Sequence, residues 1–292
     1  MSSILTNNSA MVALQTLQSV NSNLAKTQDM ISTGKEVGKA KDNSAIWAIS
    51  KVMESDVSGF KAVKDSLALG ESTVAVASAG AEQIVNLLND MKERVVAATG
   101  DNVDHTKLES DVNALKEQIG SIIRGSQFNG ANLLDAAGGD IDVLGSINRD
   151  DAGDVTNLMI TVASVDFETD LLGGATATTN PSDPILATNI LGDIDVSAAA
   201  AAATSLTALE AHIQTAIDGA AELGASAKRI SDQSEFVSKV TDAMKSGVGA
   251  MVDTNMEEAS ARLQALQVQQ QLATQSLSIA NQAPQAILSL FR

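Results

Sequence analysis

A chain of 292 residues that is 44% hydrophobic can build the core of one or two ordinary domains, which excludes a disordered tail. Its 36 acidic residues against 19 basic ones make a polyanion that phosphate backbones and anionic lipid surfaces repel, so neither a nucleic acid nor a membrane is expected as a partner. The absence of cysteine removes disulfides, thiolate catalysis and thiolate metal sites together, and leaves the compartment open.

Charge is unevenly placed along the chain. Residues 1–25 carry none, residues 263–291 carry none, and the stretch 140–195 holds eleven acids against the single base Arg149. A globular domain scatters charge over its surface, so two charge-free ends point to burial of both in a medium of low polarity. The first residues lack the basic and apolar run of a secretory signal, so export is expected by another route. No window holds the roughly 18 apolar residues that a membrane span needs, and eight glutamines interrupt the uncharged C-terminal run.

In chain order, Ala10, Leu14, Leu17, Asn21, Leu24, Gln28 and Ile31 repeat in steps of three and four and predict a first helix. "TGKEVGKAKDNSA" then interrupts the pattern with glycines and lysines, which predicts a joint. From Ile46 to Ala98 the same spacing returns over sixteen positions, fourteen of them apolar, and predicts one long rod helix. A third helix is expected on Leu108, Val112, Leu115, Ile119 and Ile122, after the loop at 100–104. "DIDVLGSI" and "VTNLMITVAS" alternate as two strands of a β-hairpin around the turn-rich "NRDDAGD". "LLGGATATTNPSDP" has no helical period and two of the three prolines, and is expected as a surface loop. A helix capped by Ser197 should follow, with a stripe from Leu206 through Leu209, Ile213 and Leu223 to Met251 that packs on the first rod. A last stripe runs Val252, Met256, Ala259, Leu263, Leu266, Gln270, Ala273, Leu277 and Ala280, out of phase with its predecessor, so a second joint is expected near Met251.

The fold class is therefore mainly α: long antiparallel heptad-patterned helices, coiled-coil-like at the termini and bundled in the rods, with a small β-hairpin and a short insertion. Candidate chemistry is sparse. His105 and His212 stand on different elements in no metal-ligand or nucleophile spacing, and read as surface histidines. "NRDDAGD" lacks the closing glutamate of a calcium loop. Gly34 and Gly38 form GxxxG outside any apolar context, and read as a flexible joint. Asp56, the one acid on the long stripe, reads as a structural carboxylate, and Trp47 as an anchor at the start of the rod. With no constellation for catalysis, no enzyme, metal or cofactor is expected. A membrane-active protein would carry basic amphipathic ends, which are missing. A self-assembling protein that buries both charge-free ends against copies of itself accounts for ends, joints and rods together.

Three motifs then carry a resemblance to the bacterial flagellins. "MISTGKEVGKAKDNSAIWAI", with Asp42 and Trp47, is similar to the family's SSG…AKDDAAGLAI segment, with Asn43 and Ile46 as departures. "GSQFNGANLLD" resembles its QFNG-x-x-LL signature through Gln127, Phe128, Asn129 and Gly130, followed by Leu133 and Leu134. "SIANQAPQAILSLFR" is similar to its ANQxPQxxLxLL close. The resemblance implies an extracellular filament subunit that serves swimming motility. It implies an inner coiled-coil domain of residues 1–33 and 254–292 lining a hollow tube, a joint at 34–45, a rod domain of 46–163 and 206–253 with the hairpin, and a variable surface insertion at 164–205. The expected polymer interface is Leu14, Leu17, Leu24, Ile31, Leu263, Leu266, Leu277, Pro284, Leu288, Leu290 and Phe291. Thr176, Thr178, Thr179 and Ser182 are the expected outward residues for any O-linked sugar.

The partners it implies are copies of the chain, an export chaperone on the C-terminal helix, the flagellar type III export apparatus, and the filament cap and hook-associated proteins. A hook–filament junction protein is the alternative reading, and a type III translocator-like protein a more distant one. Many flagellins meet an animal innate immune receptor through an Arg and a Leu four residues later. Asp90 and Arg94 occupy those places here, which implies weak or absent recognition.

Overall fold

The computed structural model describes residues 7–135, 138–150, 153–172 and 191–290. Its elements are α1 (Asn8–Thr33), α2 (Ser44–Ala98), α3 (His105–Gly125), β1 (Gln127–Phe128), β2 (Ala131–Asn132), β3 (Ile141–Arg149), β4 (Val155–Val162), α4 (Phe167–Leu172), α5 (Ala199–Val252) and α6 (Met256–Leu290). The mainly α class with a small hairpin is therefore the fold observed. The chain divides into two compact units, residues 1–57 with 242–292, and residues 58–241.

In the second unit the long stripe faces inward as its period requires. Val63, Leu67, Val74, Ile84, Leu88, Met91 and Val95 on α2 are fully buried, with Ile119 and Ile123 from α3 and Leu209, Leu223, Ile230 and Val237 from α5. Helix α5 runs antiparallel to α2: Lys92 pairs with Glu210 at 2.6 Å, while Ser66 and Gln233 meet on the same strand, β3. Strands β3 and β4 form the expected antiparallel hairpin, with a bulge at Gly145 between Leu144 and Ser146. A bulge leaves ladder groups without strand partners, and here the helices supply them. Ser66 Oγ accepts from Leu144 N at 3.1 Å, and Gln233 Nε2 donates to Gly145 O at 2.8 Å. Gly70 lies so close to β3 that a Cβ built there would stand 2.5 Å from a Val143 methyl.

"QFNGANLL" becomes a two-residue hairpin turn. Asn129 and Gly130 take φ of 52° and 85°, the left-handed pair that an Asn-Gly turn supplies at least strain. Asn132 then donates to Ile123 O at 2.7 Å and accepts from Leu134 N at 3.0 Å, which seats Leu133 and Leu134 in the core.

The cap expected at Ser197 is a correction. Its N–H donates to Asp195 Oδ1 at 2.8 Å and its hydroxyl also bonds Asp195, while the first turn of α5 closes from Ala202 N to Ala198 O. An acidic side chain two residues upstream outcompetes the orphan helix amides for this serine. The flanks of the expected surface insertion are built into the core, with Phe167, Leu171, Leu191, Ile194 and Val196 buried.

In the first unit α1 and α6 pair antiparallel. Asn7 Nδ2 donates to Ala280 O at 2.8 Å near one end, and Gln270 Nε2 donates to Asn21 Oδ1 at 2.7 Å further in. The joints sit where the sequence broke period. Gly34 ends α1 with φ of 71° and returns its N–H to Met30 O, the left-handed cap that favours glycine. Asn43 Oδ1 accepts from Ile46 N and opens α2. Asn255 Oδ1 accepts from Glu257 N and opens α6. The two joints are stitched together, because Val252 O accepts from both Glu36 N and Val37 N, and Gly34 O accepts from Thr254 N.

Candidate assembly surface

The terminal helices α1 and α6, free of charge over residues 8–25 and 263–290, present two faces. The inward seam of α1 is Ala10, Ala13, Leu17, Val20, Leu24, Thr27 and Ile31 with Met30, of which Val20, Thr27 and Met30 are buried. This corrects the phase of the expected stripe: Leu14, Asn21 and Gln28 are exposed, and Ala13, Val20 and Thr27 take their places. Up to residue 25 this helix has no charge to mark its outer side, so the larger Leu14 drew the reading away from Ala13. The seam of α6 follows the expected stripe. Ala259, Leu266 and Ala273 are buried, and Leu263, Gln270, Leu277 and Ala280 are half-buried.

Leu17, Leu24, Ile31, Leu263, Leu266 and Leu277 thus already meet partners within the chain, whereas Leu14 faces outward. The side chains of Pro284, Leu288 and Leu290, and the whole of Phe291, lie outside the described residues. So do Thr176, Thr178, Thr179 and Ser182.

The outward face holds Leu14, expected at the interface, and five residues that the sequence reading missed. Met11, Val12 and Leu14 on α1, with Val268, Leu272 and Ile279 on α6, are 47% to 69% exposed. Single exposed apolar side chains are ordinary, but six on helices without a charged neighbour within a turn mark a surface that water does not keep. The available signal was the other half of the same period. Val12, Leu14 and Val268 interrupt what would otherwise be polar positions on charge-free stretches.

Where charge appears, at the joint, part of it is paired. Lys39 Nζ lies 2.8 Å from Asp29 Oδ2, holding that carboxyl below and that ammonium above their ordinary ranges. Lys35 lies 3.6 Å and Lys51 2.5 Å from Glu54, which lowers the Glu54 carboxyl. Asp42 accepts from Lys39 N at 2.9 Å, and Trp47 is half-buried at the start of α2.

Charged chemistry in the second unit serves the fold. Buried Lys116 donates to Ile194 O at 2.7 Å, and burial holds its ammonium below the ordinary range. His105 Nδ1–H donates to Val196 O at 3.0 Å, and His212 Nε2 faces the Asp193 carboxylate at 3.0 Å. Together with Ser205, whose hydroxyl meets Asp193 O and Asp195 O, they pin the strap 191–196. Glu168 is pushed up to about 7, first by its hydrogen bond to the Asp135 carboxyl and then by burial. Among the described residues no three His, Cys, Asp or Glu side chains gather to hold a metal, and no helix is long and apolar enough to cross a membrane.

The chain is similar to known proteins along its whole length. Residues 4–138 match the family model "Bacterial flagellin N-terminal helical region", and residues 206–291 match "Bacterial flagellin C-terminal helical region". It is 38% identical to flagellin FljM of Caulobacter vibrioides, over all of this chain and 99% of that one. It is 37% identical to a flagellin of Brucella melitensis over the full length of both. It is 34% identical to flagellin A of Rhizobium meliloti in an alignment of 395 positions, about a hundred of which have no counterpart here. The crystal structure of Bacillus cereus flagellin superposes with a TM-score of 0.46 at 21% identity, covering 59% of this chain and 88% of that one. With both terminal regions matched and relatives aligned end to end, the chain belongs to the bacterial flagellin family.

Proposed function

We propose that the outward apolar face of α1 and α6 is the surface through which this chain joins its neighbours. The chain is a structural subunit that self-assembles into the helical flagellar filament outside the cell, and so serves swimming motility. The relatives named above are flagellins, which favours the filament subunit over a hook–filament junction protein.

One observation carries the interface: six large apolar side chains, Met11, Val12, Leu14, Val268, Leu272 and Ile279, stand in water on stretches of α1 and α6 that bear no charge. Burying what each still exposes recovers about half of the roughly 1.5 to 3 kcal/mol that full burial is worth. The seam leucines then hold the pair together, and the outward residues hold pairs to pairs. In this reading residues 1–33 and 254–292 form the inner layer around the filament channel. Before assembly the same face would be a hazard, which is the physical reason for a chaperone on α6 and for passage through the export apparatus unfolded. Mature ends of the polymer would meet the filament cap and the hook-associated proteins.

Purified protein concentrated with and without preformed seeds, then sedimented and imaged, tests the reading. Seeded growth of tubes by the wild type and its loss in Leu272→Lys is the expected result. Tubes of normal length from Leu272→Lys would remove α6 from the interface. Exposed Asp90 and Arg94 on α2 support weak recognition by the innate immune receptor, and a cell reporter assay with potency equal to that of an enteric flagellin would contradict it.

A further inference from the structure

We propose that a lysine-lined groove beside the N-terminal joint, formed by Ser22, Lys26, Gln28, Ser32 and Lys41, docks carboxylates of a second copy of this chain. The inference rests on the filament reading and adds a second, polar contact to the apolar one.

Its basis is a reversal of charge within one stretch. Residues 26–64 hold seven bases against five acids, whereas residues 65–292 hold 12 bases against 31 acids. Within a chain of net charge −17, residues 26–64 are therefore a positive band. Within the band, Lys35 and Lys39 are engaged by Glu54 and Asp29 of the same chain. Lys26 and Lys41 are exposed and form no ion pair among the described residues, and Lys41 adds only a through-space attraction to Asp29. The carboxylates that line the groove are already occupied, Asp29 by Lys39 and Asp42 by the Lys39 amide. Two ammonium groups thus remain for an outside partner. Ser22, Ala25 and Ser32 leave small neutral walls between them, so another helix can approach.

Symmetry selects the partner. A two-fold contact sets a patch against itself, so lysines near its axis would face lysines. A head-to-tail contact sets the band against a different part of an identical chain, and residues 65–292 of that chain are acidic in sum. Head-to-tail contacts whose rotation does not close into a ring propagate as open helical polymers. Exposed ion pairs contribute little affinity each, but they fix register and speed encounter. The groove would therefore set which neighbour is met, and the apolar face how tightly it is held.

Filaments grown from an equal mixture of 14N and 15N protein, treated with a carbodiimide that joins lysine to carboxylate without a spacer, provide the test. Mass spectrometry should find Lys26 or Lys41 bonded to Asp or Glu in peptide pairs of mixed isotope. In parallel, the Lys26→Glu, Lys41→Glu double variant should raise the critical concentration at least tenfold, and the Lys26→Gln, Lys41→Gln variant less, with unchanged circular dichroism of the monomers. Cross-links confined to Asp29 and Asp42 of the same copy, or a critical concentration equal to wild type in the double Glu variant, would overturn the inference while leaving the apolar interface standing. Failure of the wild type to form filaments at all would instead overturn the assembly reading, and this inference with it.

Discussion

Gln270 on α6 donates through Nε2 to Oδ1 of Asn21 on α1 at 2.7 Å, a polar clasp between residues 249 positions apart. Asn21 is exposed and Gln270 half-buried, so the bond competes with water and is worth about 0.5 to 1.5 kcal/mol. Polar pairs across a helical seam choose one register among several of similar apolar burial. Asn21→Ala should therefore raise the critical concentration for assembly about three- to tenfold, which is the same free energy read as an equilibrium. Gln270→Ala in that background should add little, because its partner is gone. Sedimentation of the two single variants and the double variant measures the coupling. Additive effects would show that the clasp does not act as a pair.

Glu168 predicts a pH dependence in the second unit. Its carboxyl is pushed up to about 7 from 4.5, chiefly by the proton-sharing bond to Asp135. Between those values the folded chain holds a proton that the unfolded chain releases. The stabilisation is complete below about 4.5 and is lost as pH rises through about 7. Resistance of the second unit to urea should fall across that window. Glu168→Gln, which keeps a donor toward Asp135 and removes the titration, should flatten the profile, and an unchanged slope would assign it to other groups.

The rods were legible because burial on one face of a long helix writes a period into the sequence, and Val63 to Ala98 and Leu209 to Val237 carry it. The hairpin was legible through its alternation, and the β1–β2 turn through Asn129-Gly130. The seam of α1 was half legible: Leu17, Leu24 and Ile31 fell in place, but Leu14 was given the role of Ala13 because hydrophobicity marks burial of any kind and does not separate a neighbour in the chain from a neighbour in the polymer. The strap 191–196 was not legible. It depends on Lys116 reaching a carbonyl 78 residues away, and a backbone acceptor leaves no mark in the sequence.

Lys116 itself gives the third prediction. Its ammonium is almost wholly buried and donates to Ile194 O at 2.7 Å. Lys116→Met keeps the length and apolar stem but leaves that carbonyl without its donor, at a cost of about 1 to 3 kcal/mol. Because His105, His212 and Ser205 hold the same strap, the loss should be local. Amide exchange at Ile194 to Val196 should quicken well before exchange in α2 changes. Equal acceleration in both would mean that the strap and the rods unfold as one body.

The last prediction separates the two faces of α6. Ordering a residue costs about 1 to 2 kcal/mol of backbone entropy, while a buried leucine or isoleucine returns roughly 1.5 to 3. The α1–α6 pair buries few large side chains along its seam, with Val20, Met30 and Leu266 the most enclosed, so in the free subunit it should be marginal and exchange its amides quickly. Order and assembly would then be coupled. Leu277 is half-buried on the seam, whereas Ile279, two residues on, is 69% exposed on the outward face. Leu277→Lys places a charge inside the pair and should abolish polymerisation together with the residual helix of α1 and α6, while the rods stay folded. Ile279→Lys places the same charge where the free subunit already meets water. Its circular dichroism should match wild type, yet it should not polymerise, because only a neighbour would bury that position. If Ile279→Lys assembles at the wild-type concentration, the outward face is not an assembly surface, and the charge-free stretch 263–291 would have to be explained by the seam alone.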